Sequence, residues 1–181
     1  MKNLKVIHFI SVGGLLTALT VLLQAAPVFL PAFGLAISPL STLPIAFASV
    51  LNIFLGIIVL FSSAFILFIL SPQEAVILLC TTGLLGAVLG ALIYRKGKSL
   101  SILASAMALS IGMILLTYVA AIPSFAELAD ATSFPIIVLM FFMFSLIYVS
   151  IWSISCRKFV NHLVKIKLIE DPARKGIKNL L

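Results

Sequence analysis

The chain reads as a series of long apolar runs separated by short interruptions. These are "QAAPVFLPAFG" at 24–34, Asn52, "SPQEA" at 71–75, "YRKGK" at 94–98 and "IPSFAELADATSFP" at 122–135. One bilayer crossing takes about 20 mainly apolar residues as a helix. Cutting at the Pro, Gly and charge clusters predicts six spans, at 7–26, 34–51, 53–71, 75–94, 101–122 and 135–156. The expected fold is therefore all-α and polytopic, with a six-helix membrane domain over 1–156 and a basic tail over 157–181.

The second run is the one whose crossing is open, because Pro39 and Pro44 interrupt it. Charge decides the matter. If it crosses, Lys2, Lys5, Arg95, Lys96, Lys98, Arg157, Lys158, Lys165, Lys167, Arg174, Lys175 and Lys178 all fall on one side. Glu74, Glu127 and Asp130 fall on the other. If it does not, the "YRKGK" cations land outside, against the bias that keeps Lys and Arg cytoplasmic. The expected topology therefore has both termini in the cytoplasm of a cell-membrane protein. Met1 to Lys5 is basic, but the apolar segment behind it is too long for a signal-peptide core, so it is expected to stay as the first anchor.

Composition agrees with this pattern. Hydrophobic residues make up 63% and charged residues 9% of the 181, with a mean hydropathy of +1.32. That is far outside the range of a water-soluble domain. The formal net charge of +7 is read as the inner face of a membrane protein, and no nucleic-acid partner is expected. In the tail, Phe159, Leu163 and Ile166 recur at helical spacing among Lys158, Lys165 and Lys167. This predicts an amphipathic extension in the inner headgroup layer, ended by Asp171-Pro172.

Candidate chemistry is sparse. No Lys, Arg, Asp or Glu falls near the middle of an expected span, which argues against a self-powered ion-coupled transporter. There is no H-E-x-x-H, G-x-S-x-G or P-loop motif and no paired-Asp arrangement, so an enzyme is not expected. Cys80 and Cys156 lie in apolar runs and read as buried small hydrophobes. His8 and His162 have no ligand partners at metal spacing, so neither a metal nor another cofactor is expected.

Two features remain. The first is a pair of small-residue faces: Ser11, Gly14 and Ala18, with Ala25 a heptad on from Ala18, and Gly83, Gly86 and Gly90, which include a G-x-x-x-G. Such faces let helices approach closely in lipid. For 83–90 the expected role is packing within the chain, and for the first span packing and partner docking stand level. The second is the set of outer connections, whose aromatic and polar residues can close over a small molecule. The candidates are Gln24, Phe29, Phe33, Gln73, Glu74, Tyr118, Phe125 and Glu127. Ser71, Pro72 and Glu74 also fit a helix start, with Ser71 as cap, so for Glu74 a capping role competes with a ligand contact.

Taken together, size, span number and charge placement resemble the substrate-binding S component of energy-coupling factor vitamin transporters. The resemblance covers the whole chain but no substrate-specific motif. It implies a pocket open to the outer side, gating by the first outer loop, and no ATPase of its own. It also implies docking on an energising module of a coupling membrane protein and two ATPases, through an Ala-x-x-x-Ala-like arrangement in the first helix. Gly14 and Ala18 stand at the matching positions, and Leu22 departs from the pattern where a further small residue would extend it. The alternative is a membrane scaffold that binds other membrane proteins through its Gly/Ala faces and has no small-molecule pocket. A lipid-handling protein would need a polar track, for which the fifth span offers only Ser105, Ser110, Thr117 and Tyr118.

Overall fold

The computed structural model describes residues 2–95, 97–118 and 133–165. Those residues are almost entirely helical, with no strand among them. The helices are α1 (Lys2–Gln24), α2 (Ala26–Phe29), α3 (Pro31–Ile37), α4 (Thr42–Leu51), α5 (Ile53–Leu70), α6 (Pro72–Cys80), α7 (Thr82–Leu92), α8 (Lys98–Tyr118) and α9 (Phe134–Lys165). A 3₁₀ segment, Ser38–Ser41, joins α3 to α4.

Among the described residues, five stretches are long and apolar enough to cross a bilayer: Pro31–Leu51, Ile53–Leu70, Pro72–Leu92, Lys98–Tyr118 and Phe134–His162. The apolar part of α1 is shorter, Phe9–Gln24. Most boundaries match the expected ones to within a few residues, and the differences have local causes. The connection at 24–34 is itself helical, because Pro27 and Pro31 each open a short helix, where a missing N–H and a preset φ cost nothing. Pro39 opens the 3₁₀ turn inside the stretch Pro31–Leu51. α9 continues without a break past residue 156, the expected domain boundary, to Lys165. The remainder of the expected amphipathic tail lies outside the described residues.

Helix ends are set by identifiable residues. Asn52 interrupts two apolar helices, and its Oδ1 accepts the Phe54 N–H at 2.8 Å as the cap of α5. Gly97 turns the chain into α8 at a φ of 85°, in the left-handed region that favours glycine.

Two apolar clusters meet at α4. Ile45 and Ala48 join Leu16, Leu55, Val59, Leu67 and Leu78 on one side. Ala46 joins Leu85, Leu89, Leu109, Ile137 and Val149 on the other. α4 packs closely on α7. A Cβ on Gly86 would lie 2.8 Å from the Thr42 carbonyl oxygen, and one on Gly90 would overlap the Ala46 carbonyl. These two glycines, on one α7 face, bring backbone against backbone, which is how small residues hold helices together in lipid. Gly83, on the same face, abuts Leu60 and the Leu78 carbonyl.

The stretch Pro72–Leu92 is broken in its middle. Thr81 leaves helical geometry at φ −121° and ψ −90°, dividing α6 from α7. The Cys80 carbonyl is turned against Gly112 of α8, where any side chain would collide with it.

Candidate functional site

Three polar side chains converge on Gln24, the last residue of α1 and fully buried. The buried stripe of α1 is Gly13, Leu16, Thr17, Thr20, Val21 and Gln24, a three-and-four spacing that carries the Gln24 side chain inward with the apolar ones. Its Nε2 donates to Glu74 Oε2 at 2.8 Å. Its Oε1 accepts from Ser41 Oγ at 2.8 Å and from Thr82 Oγ1 at 3.0 Å. The amide orientation follows from chemistry, since a carboxylate oxygen accepts and the amide nitrogen only donates.

Each partner comes from a place where regular helix is interrupted. Ser41 ends the 3₁₀ segment, Thr82 follows the break at Thr81, and Glu74 stands in the first turn of α6. Interrupted helices of this kind are tolerated in a membrane where the irregular backbone is buried in protein or lines a cavity. Here four chain segments, none adjacent in sequence to all the others, are tied to one amide. Thr42, next to Ser41, is also fully buried, and its Oγ1 has no hydrogen-bond partner among the described residues.

Glu74 is only half-buried, so the hub is reachable from the end of the bundle where α1 ends and α6 begins. The second Nε2 hydrogen and Glu74 Oε1 make no further bond among the described residues. Only the Glu74 edge of the hub faces outward, since Gln24 itself is fully buried.

Of the eight pocket candidates, the structure brings together Gln24 and Glu74. Phe29 and Phe33 do not join them: they are 71% and 75% exposed on α2 and α3. The tight approach of Gly34 to the Ala26 backbone folds these two helices onto each other, leaving both rings facing away from the core. Gln73 is exposed one residue from Glu74, because successive helix positions point about 100° apart. Tyr118, at the end of α8, is half-exposed and packs instead on Phe134, with ring centroids 5.7 Å apart. Phe125 and Glu127 lie outside the described residues.

The helix-start reading of Ser71 is met in part. It precedes α6 with Pro72 in the first turn, but its side chain makes no cap bond, and the Glu74 carboxylate is engaged by Gln24. Ser41 and Thr82 were not among the candidates. The signal that could have found Ser41 is the run "SPLSTLP", dense in hydroxyls and prolines inside an otherwise apolar stretch.

The α1 small-residue face divides. Ser11, Gly14 and Ala18 are exposed, and nothing lies within 4 Å of a Cβ built on Gly14. Ala25 does not belong to this face. It sits one residue beyond the end of α1 and is buried. Leu15 and Leu22 flank the exposed face at 70% and 71% exposure.

A groove of about 770 Å³ lies between α5 and α6, lined by Phe61, Phe65, Phe68, Ala64, Ala75 and Leu79 among others. It is open and almost wholly apolar. Among the described residues no cluster of His, Cys, Asp and Glu has the makings of a metal site.

Comparison with family models, with curated proteins and with solved structures returns no match for this chain.

Proposed function

We propose that this protein is the membrane-embedded substrate-binding subunit of an energy-coupling factor importer. It takes a small vitamin-like molecule from the outer side and docks on a separate ATP-driven module. The proposed topology is six spans with both termini in the cytoplasm, α1 being the first span.

The observation that carries the reading is the outward placement of Ser11, Gly14 and Ala18 on α1. The other small-residue face, on α7, is consumed by packing inside the chain, whereas this one is left open. A flat, small-residue strip flanked by exposed leucines suits close approach of a partner's helix in lipid. The Gln24–Glu74 pair supports the substrate side of the proposal, since it is a polar site reached from the end opposite Arg95 and the basic "YRKGK" turn.

The exposed α1 face serves a scaffold equally well, and in favour of that second reading the hub is already bonded within the chain. Gentle extraction of the tagged protein from native membranes separates the two. Recovery with a polytopic membrane protein and a pair of cytoplasmic ATPases is expected, followed by a thermal shift with one of a panel of vitamins. A subunit that binds ligand gains RT ln(1 + [L]/Kd) in stability. Recovery of other membrane proteins without ATPases, and no thermal shift, would favour the scaffold.

A further inference from the structure

At the end of the bundle away from Gln24, the cations are arranged in a way that topology alone does not require. A charge that orients a membrane protein needs only to be in the right loop. Arg157 is instead fixed: its Nη2 donates to the Ile93 carbonyl at 2.9 Å, and its guanidinium carbon lies 5.8 Å from the Tyr94 ring centroid. Ile93 caps the C-terminus of α7, so this carbonyl is one of the helix's unpaired acceptors and carries the negative end of its dipole. Tyr94 is held in turn, its hydroxyl donating to Asn161 Oδ1 at 3.3 Å. Arg157 Nε is buried and has no acceptor among the described residues.

Arg95, Lys98 and Lys158, at the same end of the bundle, are all exposed. Lys98 is the first residue of α8 and Arg95 stands just before it, with no acidic residue in the first turn. Both cations therefore add to the positive end of a helix dipole, where an anion is the favourable occupant. The one acidic side chain among the described residues, Glu74, is engaged with Gln24 at the opposite end. Space is open beside Gly97, the turn between Arg95 and α8. The cluster lies where apolar helices meet the boundary of a bilayer, so the nearest anions are lipid headgroups.

We propose that Arg95, Lys98 and Lys158, exposed at the same end of the bundle as the anchored Arg157, form a binding site for the headgroup phosphodiester of an anionic phospholipid. The site is independent of the substrate-binding reading and needs only that the bundle be embedded in a membrane. The exposed cations supply attraction, and Arg157, already held by Ile93 and Tyr94, adds a fixed positive charge at the same end of the bundle.

The test is native mass spectrometry of the full chain in micelles, titrated with an equimolar mixture of phosphatidylglycerol and phosphatidylcholine. The native protein is expected to retain phosphatidylglycerol in preference, at one molecule per chain. Each exposed cation replaced by Gln should weaken retention about fivefold, and the triple variant Arg95→Gln, Lys98→Gln, Lys158→Gln on the order of a hundredfold. These side chains are exposed, so unchanged thermal unfolding serves as the check on folding. Equal retention of the two lipids, or a triple variant that holds phosphatidylglycerol as the native chain does, overturns the proposal. Displacement by inorganic phosphate at the lipid's own concentration also overturns it, by assigning the site to the free anion.

Discussion

Gln24 Nε2 lies 2.8 Å from Glu74 Oε2, joining the end of α1 to the first turn of α6 across 50 positions of sequence. The same amide holds Ser41 and Thr82, so one side chain fixes the relative placement of four segments. Hydrogen bonds between membrane helices average about 0.6 kcal/mol each. Replacing Gln24 by Met keeps the volume and removes all three, so a loss of about 2 kcal/mol is expected in reversible unfolding from mixed micelles. Gln24→Glu should be worse than Gln24→Met, since it sets a second carboxylate against Glu74. If the two variants unfold alike, the Glu74 contact contributes nothing to the hub.

The two small-residue faces should respond in opposite ways. Gly90→Ala drives a methyl into the Ala46 carbonyl, and overpacking of this kind costs about 1–3 kcal/mol. Gly14→Leu meets open space and should leave unfolding unchanged. Under the importer reading it should nonetheless abolish co-purification with the energising module, and so should Ala18→Leu. Retention of the module by both variants would remove the α1 face as its docking surface.

Asn52 offers a local test of helix capping. Loss of its bond to the Phe54 N–H in Asn52→Ala should lower stability by about 1 kcal/mol, and Asn52→Asp should restore most of it. Equal losses in the two variants would point to some other role for the side chain.

Whether the stretch Pro31–Leu51 crosses the bilayer can be read from two exposed positions. Phe29 and Arg95 end on opposite sides if it crosses and on the same side if it does not, because Ile53–Leu70 and Pro72–Leu92 lie between them. Single cysteines at these positions, in a chain carrying Cys80→Ala and Cys156→Ala, should react with an impermeant maleimide from opposite faces of sealed vesicles. Labelling from one face alone would require a different topology.

The helical class and most of the span positions were legible in the sequence because lipid imposes them: apolar runs of the right length leave a chain few choices. Gln24 and Glu74 were legible as polar residues at the ends of apolar runs, though not as partners. What brings them together is the 3₁₀ turn at Ser38–Ser41 and the break at Thr81, and these differ in visibility. The first is announced by Pro39. The second falls in "LLCTTGLL", with no proline, and is seated against Gly112 in a helix about 30 residues away. A tertiary contact of that kind leaves no local mark. Phe29 and Phe33 were misplaced for a similar reason, since the fold of α2 on α3 through Gly34 decides which way their rings face.

The glycine seam between α4 and α7 also bears on the order in which the protein matures. Its two halves are separated along the chain by the whole of Ile53–Leu70, and the earlier one lies in the least apolar of the five long stretches, with a mean hydropathy of 1.7. Pro31–Leu51 therefore emerges from the ribosome before the partner that covers it exists. Its irregular middle, with Ser41 and Thr42, must wait for Gly86 and Gly90 to be made. Assembly of this bundle is in that sense closed from behind: the fourth long hydrophobic segment to be encountered in synthesis, counting α1, completes the second. A chain with a side chain at Gly90 would be inserted yet left unfinished, exposed to membrane quality control rather than lost at translocation.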